Sequence, residues 1–435
     1  MEGSVLRGRC TMDPALNTQG ADPIPSLGCV DAKRPRCLAT PDDTVFIVLY
    51  DNNTSSRPAP VHPLDDENLL EEILLRLPPK PSSLPRASLV CMPWRSILSD
   101  TQFLSRYRKH HRKPPLLGFF AESNSAKYDF VFVLDTKPNR IPAERFAVPK
   151  SSIRYDKWYF LDCRHGLVVL IDECVHEVVV WDPLTGQQHR VPFPPMLRNA
   201  KKGIVWVWHA AVLCVDPDDG HVRGDCFSSP FKLVLMCGGQ TEAFACLYEP
   251  ASGVWGNIVS MVTTDLINPV RPSVLIGNTL FWLLRGGGVL AFDVERQTLD
   301  VIEKPVDAHV TGCLSLQLLR TNDSGLGFAV MSKLGIQLWK RSINSHGIVG
   351  WVLQPKVIQL EGLFPRGMRS KHKGAAMMGY DEESNVIVLG TYIGDFMLQL
   401  ESIQFERISF RNCWNNKMHY PYRNFYTAVI YITTC

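Results

Sequence analysis

The residues that could do chemistry in this sequence do not assemble into a complete catalytic or metal-binding motif. His176 and Glu177 begin the zinc-protease pattern HExxH, but Val180 stands where the second histidine would bind the metal. His221 and Cys226 lie near each other, yet two potential ligands do not make a zinc site. The sequence therefore predicts no catalytic residue, no metal ligand and no cofactor.

Segments rich in glycine or aspartate also lack the spacing that phosphate or calcium binding requires. No P-loop, GxGxxG or GxSxG pattern occurs. The three glycines at 286–288 are interpreted as a tight hairpin between two strands rather than a phosphate cradle. The run DPDDG at 216–220 is similar to a calcium loop, but its glycine comes one position early and no closing glutamate follows. This spacing favours a solvated turn.

Length and composition indicate the cellular location of the protein more clearly than its partners. The 435-residue chain carries a net charge of +3, too small to attract nucleic acid or a membrane as a whole. Its 13 cysteines are an odd number without CxxC spacing, and no secretory leader is recognisable, so we expect reduced thiols and a cytoplasmic or nuclear protein. No apolar run approaches the roughly 18–20 residues of a membrane helix. We therefore predict no membrane partner.

The densest basic cluster, at 106–113, has three interpretations. Nuclear import and nucleic-acid contact are two of them. The third, which we favour, is a solvated helix end, where the helix dipole attracts cations. Nucleic acid is therefore not predicted as a partner.

The elements that could present a binding surface begin at 62–110, where apolar residues recur with helical spacing. Acidic residues at 65–67 favour a helix start, and Pro78 with Pro79 ends that helix. Pro93 fits the first position of a later helix, which places a break at 91–92, and Asp100 is predicted to cap a further helix. The apolar sets of the three short helices are Leu69, Leu70, Ile73, Leu74 and Leu77, then Leu84, Leu89 and Val90, then Trp94, Ile97 and Leu98.

This pattern resembles the F-box, a motif of about 45 residues with a leucine-rich helix followed by VCxxWR. Two positions depart from it: Leu64-Asp65 stands where many F-boxes have Leu-Pro, and Met92 replaces the usual basic residue. The run 112–120 (RKPPLLGFF) further resembles plant F-box proteins, especially those of grasses. The resemblance implies adaptor docking through Leu64, Leu69, Leu70, Ile73, Leu74, Leu77, Pro78, Leu84, Val90, Cys91 and Trp94.

A function follows from that resemblance. F-box helices dock on a Skp-family adaptor, which joins them to cullin and RING subunits, and the rest of the chain selects a protein substrate for ubiquitination. The leucines are compatible with this role, because a few buried apolar anchors carry most of an interface. The alternative is that they pack against the chain's own C-terminal domain.

Beyond residue 112 the spacing changes from helical to β-rich, and a loose repeat emerges. The segment 1–60 is aperiodic and turn-rich, so we predict that it is mostly disordered. The expected domains are therefore 1–60, the F-box at 61–111 and a β domain at 112–435. Apolar-then-polar anchors mark the repeat at 133–135, 180–182, 247–249, 291–293, 337–340 and 399–401, with gaps of 47, 67, 44, 47 and 61 residues.

These gaps suit the four-stranded blades of a β-propeller, and we favour six blades over seven. The overall prediction is an α+β multidomain protein, with a small three-helix F-box before a large all-β domain. A β-sandwich or two smaller β domains are the alternatives. The turn at 181–186 (WDPLTG) resembles an element of F-box-associated propellers, and the turn at 248–253 repeats it. We expect the ring to close by pairing 116–121 with 425–432, because open strand edges invite aggregation.

The β domain also carries aromatic residues that could recognise a partner: Trp158, Tyr159, Trp206, Trp208, Trp351 and Trp414. Packing within or between blades is the alternative for each. A second function class, a propeller enzyme or ligand sensor with a helical leader, would need charged residues converging on the inner strands. We find none at repeated positions, which favours a binding protein without catalytic residues.

Overall fold

The computed structural model describes residues 66–122, 128–134, 137–150, 158–172, 174–198, 206–214, 231–306, 308, 312, 314–332, 335–343, 347–364, 375–409 and 418–427. The predicted disordered segment 1–60, Leu64 and Trp414 lie outside these residues, so those predictions are not tested.

Four helices form the N-terminal part of the described chain: α1 Glu67–Leu75, α2 Ser83–Ala87, α3 Met92–Ser99 and α4 Thr101–His111. The Asp66 carboxylate caps α1 by accepting the backbone N–H groups of Asn68 and Leu69 at 2.9 and 3.2 Å. Asp100 caps α4 through the N–H of Phe103 at 2.8 Å. These caps satisfy N–H groups that the first helical turn leaves unpaired, and they confirm both predicted helix starts. Pro93 is the second residue of α3 rather than its first.

A short 3-10 turn, Ala143–Phe146, and a four-residue helix, α5 Pro195–Arg198, interrupt a β domain. Its strands alternate inward and outward side chains, as their apolar runs predict. The described strands are β1 Leu116–Glu122, β2 Tyr128–Phe132, β3 Tyr159–Arg164, β4 Leu167–Asp172, β5 Glu177–Trp181, β6 Gln188–Pro192, β7 Val207–Cys214, β8 Phe231–Gly238, β9 Glu242–Glu249, β10 Val254–Trp255, β11 Val259–Val262, β12 Val274–Ile276, β13 Thr279–Leu283, β14 Val289–Asp293, β15 Thr298–Ile302, β16 Leu316–Arg320, β17 Leu326–Ser332, β18 Gly335–Ile343, β19 Val349–Leu353, β20 Ile358–Gln359, β21 Ala376–Asp381, β22 Val386–Thr391, β23 Gly394–Gln399, β24 Phe405–Ser409 and β25 His419–Arg423.

The strands form six antiparallel sheets, which are the blades of a propeller. In strand order they are β3–β6, β7–β10 with β11 beside β9, β12–β15, β16–β19 with β20 beside β18, β21–β24, and β25-β1-β2. The first strand of each blade lies innermost: β25 packs on β3 and β21, and β3 packs on β7. The predicted six-bladed propeller behind a helical module is confirmed.

The sequence repeat marks the same place in every blade. The anchors at 180–182, 247–249, 291–293, 337–340 and 399–401 fall in or at the end of β5, β9, β14, β18 and β23, the third strands of their blades. Residues 133 and 134 of the remaining anchor follow β2, the third strand of the closing blade, and residue 135 lies outside the described residues. The repeat is visible in sequence because each third strand must be apolar before it turns outward to the blade edge.

The two similar turns share their backbone geometry. Gly186 donates its N–H to the carbonyl of Asp182 at 2.8 Å, and Gly253 donates to that of Glu249 at 2.9 Å. Both glycines have positive φ, at 76° and 69°, a conformation that glycine adopts without steric cost. The Asp182 carboxylate also accepts the N–H of Leu184 at 2.9 Å, as expected for an aspartate that starts a turn.

The ring closes through strands from the two ends of the β domain, but the partner strand differs from the predicted one. β1 pairs antiparallel with β25, with Phe119 opposite Pro421 and Phe120 opposite Tyr420. The predicted segment 425–432 is therefore wrong as the pairing strand: residues 425–427 follow β25 outside any strand, and 428–432 lie outside the described residues. Pairing of the chain ends in one blade is confirmed.

The helical module packs on the propeller next to this closing strand. Phe425 is buried in the core of the helices and meets the ring of Tyr107 edge-on, with centroids 6.0 Å apart. Polar contacts join the two parts as well. Lys113 Nζ donates to the Glu383 carbonyl at 3.2 Å, and Ser82 Oγ donates to Asn139 Oδ1 at 2.7 Å.

We expect Phe425→Ala to loosen the helical module and to cost about 3 kcal/mol, the usual cost of truncating a buried phenylalanine. Hydrogen exchange should accelerate in α4 while the amides of β13 and β14 stay protected. Phe425→Leu, which fills most of the space, should show a smaller effect of the same pattern. Equal acceleration in all blades, or none in α4, would contradict this role.

Candidate functional sites

The first helix of the module has two apolar faces, one of which is buried and the other exposed. Leu70 and Leu74 are buried, Leu74 completely, in a core with Leu84, Leu98 and Phe103. Leu69 and Ile73, one residue earlier in each case, leave 50% and 43% of their surface exposed. Residues four apart stack on one side of a helix, so Leu69 and Ile73 form an apolar strip that the chain itself does not cover.

A second group of exposed apolar side chains lies at the connection between α2 and α3. Leu89, Val90 and Met92 are exposed, Val90 by 62% and Met92 by 73%. Single exposed apolar residues are ordinary, but several within one small module indicate an interaction site. We refer to Leu69, Ile73, Leu89, Val90 and Met92 as the exposed apolar set.

The predicted docking residues divide into three groups. Leu69, Ile73, Pro78, Val90 and Cys91 are exposed, and Leu77 and Trp94 are half-buried against the helical core. Leu70, Leu74 and Leu84 are buried in that core, so they position the helices and offer no surface to a partner in this structure. Leu64 lies outside the described residues.

Met92 and Leu89 belong to the exposed apolar set but not to the predicted docking residues. Leu89 could have been identified from the sequence, because it belongs to the apolar spacing of the second helix. Met92 was visible only as a departure from the family pattern, where a basic residue is usual.

Some charged residues on the helical module pair with one another. Arg106 pairs with Glu71 and, at 3.2 Å, with Glu72. Arg108, Lys109, His110 and His111 fill the last turn of α4, where cations are favoured. The helix-end interpretation of the basic cluster agrees with these positions. Surface pairs of this kind contribute about 0–1 kcal/mol each, so the apolar core stabilises the module.

Charged side chains meet at the axis of the propeller. Arg164, at the end of β3, donates to the carboxylates of Asp162 at 2.9 Å and Glu382 at 2.7 Å. Burial raises the pKa of the Asp162 carboxyl to about 6, although the Arg164 guanidinium favours its ionised form. Arg164 also donates to the Ser273 carbonyl at 2.9 Å, and these contacts link three blades.

Two further arginines complete this axial network. Arg423 of β25 holds Asp381 of β21 with both ends of its guanidinium, at 2.9 and 2.5 Å. Arg271 is buried and donates to Gln317 Oε1 and the Met377 carbonyl, both at 2.8 Å. The two arginines therefore tie the third, fourth, fifth and sixth blades together across the axis.

In the sequence we found no charged residues at repeated positions on the inner strands, so this network was not predicted. Charged residues do converge, but from positions that do not repeat along the chain. The acids and bases are paired with one another around a cavity of only about 50 Å³. A buried pair that loses one partner costs about 3–5 kcal/mol, so the geometry suits structural links between blades.

A buried histidine on β7 makes the fold sensitive to acid. His209 Nε2 lies 2.9 Å from the Asn268 carbonyl, and burial lowers the pKa of the imidazole to about 4. Between pH 6.5 and 4 the unfolded chain therefore binds a proton that the folded chain does not. Stability falls as pH decreases through this window.

We expect this histidine to remove about 2 kcal/mol of unfolding free energy between pH 7.5 and pH 5. Urea titrations at both pH values measure it. In His209→Gln, which keeps an amide donor for Asn268 but does not titrate, the loss should be smaller by that amount. His110→Gln, a change at an exposed histidine, should match the wild type. Parallel pH profiles for His209→Gln and the wild type would contradict the assignment.

A second, larger cavity lies where the inner strands begin. It has a volume of about 360 Å³ and is walled mainly by aromatic rings from β2, β3, β7 and their flanks. Among its residues are Trp158, Tyr159, Trp206 and Trp208, four of the aromatics singled out in the sequence. Trp351 lies elsewhere, edge-on to Phe328 with its indole N–H on the Glu303 carbonyl at 2.7 Å.

The part of the chain that the structure describes contains no group of three or more His, Cys, Asp or Glu side chains arranged to hold a metal ion. Within the same residues, no helix is long and apolar enough to cross a membrane.

Helices with an exposed apolar set, joined to a closed six-bladed propeller, define an F-box protein with a β-propeller domain. Residues 63–106 match the F-box domain. Residues 159–400, more than half of the chain, match the family described as F-box protein AT5G49610-like, beta-propeller, and the chain belongs to this family.

No curated protein matches the sequence. One similar solved structure is the extracellular domain of a hybrid two-component system from B. thetaiotaomicron, with 14% sequence identity and a TM-score of 0.30. The match covers 58% of this chain and 28% of that one, so this chain spans less than a third of that structure's length. At that TM-score the likeness does not establish a shared fold.

Proposed function

We propose that this protein is the substrate-receptor subunit of a Skp–cullin–F-box ubiquitin ligase. Its F-box docks on a Skp-family adaptor, which links it to cullin and RING subunits, and the propeller recruits a target protein. The subunit itself is not catalytic, because the transfer of ubiquitin takes place on the conjugating enzyme that the RING subunit brings. The match of 63–106 to the F-box domain supports this assignment.

The division of α1 into two apolar faces carries the proposal. Leu70 and Leu74 already complete the module's own core, yet Leu69 and Ile73 remain exposed beside them. This arrangement does not fit the alternative in which all the leucines pack against the chain's own β domain. A helix that is apolar on both sides needs a second partner.

The free energies of burial and association favour several apolar anchors over a single residue. Burying one Leu, Ile or Val side chain contributes about 1.5–3 kcal/mol, whereas association costs about 4–15 kcal/mol in lost freedom. The two residues on α1 would supply about 3–6 kcal/mol, which reaches only the lower end of that cost. The five side chains of the exposed apolar set together reach the required order.

The axial network does not favour the enzyme or sensor alternative, because its charged groups are paired with one another. A cytoplasmic or nuclear location, and an origin in plants of the grass type, belong to the proposal. Free cysteines at 91, 163, 174, 214, 237 and 246 support the location, and the run 112–120 supports the origin.

Co-expression of the full chain with a Skp-family adaptor tests the proposal. We expect a 1:1 complex on size-exclusion chromatography, which a deletion of 62–100 abolishes. Because that deletion also removes the helical core around Phe425, Val90→Asp serves as a second variant that changes one exposed side chain. A folded wild-type chain that forms no complex with the adaptor would overturn the proposal.

A further inference from the structure

The cavity of about 360 Å³ at the start of the inner strands is walled mainly by aromatic side chains. Tyr128, Tyr159, Trp206 and Trp208 line it, and each is only half-buried. Half-buried rings keep part of their surface available. The volume lies in the range of small-molecule and side-chain pockets, about 300–1,000 Å³.

The one charged side chain of the described cavity lining is acidic, with no basic side chain to balance it. Glu122, at the end of β1, is the only Asp or Glu among the described lining residues, and no Lys, Arg or His is found among them. Burial raises the pKa of the Tyr128 phenol to about 12, and the Glu122 carboxylate acts in the same direction. The negative charge of Glu122 therefore reaches the aromatic wall.

The rings are held in place by contacts behind them. Tyr128 accepts the backbone N–H of Phe160 at 3.2 Å, and Trp208 packs on Phe193 with centroids 4.6 Å apart. Trp206 packs beside Phe244, with ring centroids 5.7 Å apart. Its indole N–H is buried without a hydrogen-bond partner among the described residues. The aromatic wall is thus preformed.

The cavity also lies on the face of the propeller away from the helical module. Its residues stand at the beginnings of β3, β7 and β25. Arg423 stands at the other end of β25, where it donates to the carbonyl of Pro114, three residues after α4, at 2.8 Å. A strand of six residues spans about 20 Å. A ligand bound here would not compete with a partner on the exposed apolar set.

We propose that this cavity receives a cationic side chain, an arginine or a lysine, of the protein that the propeller recruits. An aromatic face attracts a cation through its quadrupole, and a guanidinium stacks well on flat rings. The exposed Glu122 carboxylate supplies the opposite charge. The inference rests on the proposed function, because it names the chemistry of the substrate.

Blocked amino acids test the charge requirement in the full-length chain purified without adaptor. The probes are N-acetyl-arginine methylamide, N-acetyl-lysine methylamide and N-acetyl-citrulline methylamide, and ligand-observed NMR titration gives their affinities. Citrulline has nearly the shape of arginine but no charge. We expect the arginine probe to bind at least tenfold more tightly than the citrulline probe. Equal binding of the two probes, or no binding of either charged probe, would overturn the inference.

Two substitutions locate the binding. Glu122→Gln should bring the arginine-to-citrulline ratio close to one, whereas Glu361→Gln, an exposed glutamate outside the cavity, should leave it unchanged. Trp206→Leu should weaken both charged probes at least fivefold. A ratio that survives Glu122→Gln would also overturn the inference.

The same preparations separate the two proposals. Adaptor co-purification reports on the receptor function, and probe titration of the chain purified without adaptor reports on the cavity. If adaptor binding fails while the arginine preference persists, the receptor proposal fails and the cavity assignment stands. If the adaptor binds but the chain shows no arginine preference, the cavity assignment fails and the receptor proposal stands.

Discussion

We expect Ile73→Asp to abolish co-purification with a Skp-family adaptor while the propeller's thermal transition stays nearly unchanged. Ile73 leaves 43% of its surface exposed on α1, next to Leu69, so aspartate is tolerated in the free chain. In a complex, the carboxylate would be buried without a partner, which costs several kcal/mol. A loss of about 4 kcal/mol weakens binding roughly a thousandfold, and a pulldown or size-exclusion run would no longer retain the adaptor.

A matched control separates docking from a general effect of surface charge. Leu353, on β19 of the fourth blade, is 44% exposed and lies outside the helical module. Leu353→Asp should therefore retain the adaptor at wild-type levels. Adaptor retention by Ile73→Asp would refute the docking surface, as would its loss in Leu353→Asp with the fold intact.

The helical module shows how far apolar spacing can be interpreted. Spacing and capping residues predicted the helices, because caps and prolines act locally. They could not decide which leucines remain exposed. Leu69 and Leu70 are neighbours in sequence with the same hydrophobicity, and only the packing of α4 and Phe425 against one side separates them. Phe425 is more than 300 residues away, so no local pattern carries that information.

The propeller repeat was visible because each third strand has the same local requirement. The closing strand was not, because its sequence is untypical of a strand. β25 reads HYPYR and contains Pro421. It forms the edge of its sheet, in the order β2-β1-β25, and proline is tolerated in edge strands. The segment at 425–432 was predicted to be the closing strand instead, because it is more apolar and has the stronger strand propensity.

The axial network and the aromatic cavity depend on ring closure in the same way. Asp162, Arg164, Asp381 and Arg423 are brought together by inner strands that are far apart in sequence. The aromatics at 158–159 and 206–208 could be singled out one by one, but their common wall, and the role of Glu122 in it, exists only once β1 pairs with β25.

Removing residues 418–435 should prevent the propeller from folding. The deletion takes away β25, whose Tyr420 and Tyr422 are buried, and opens the hydrogen-bonding edge of β1. It also leaves Asp381, buried on the fifth blade, without the Arg423 guanidinium. An unpaired buried carboxylate costs about 3–5 kcal/mol, and lost apolar burial and the exposed edge add to this. We expect insoluble protein, measured as the soluble fraction after expression. A soluble chain with a cooperative melting transition would contradict closure by this strand.

A single methyl group tests the same closure without removing any residue. Gly379 of β21 approaches the closing strand so closely that an added Cβ would lie 2.3 Å from the backbone carbonyl oxygen of His419. A backbone atom cannot rotate away as a side chain can, so Gly379→Ala must push β25 from the ring. We expect a loss of about 3 kcal/mol, the upper part of the range for overpacking, seen as a lower urea midpoint. Gly350 lies on β19 with open space around its Cβ position. Gly350→Ala should therefore keep the wild-type midpoint, and equal midpoints for both variants would show that β25 does not pack on β21 in solution.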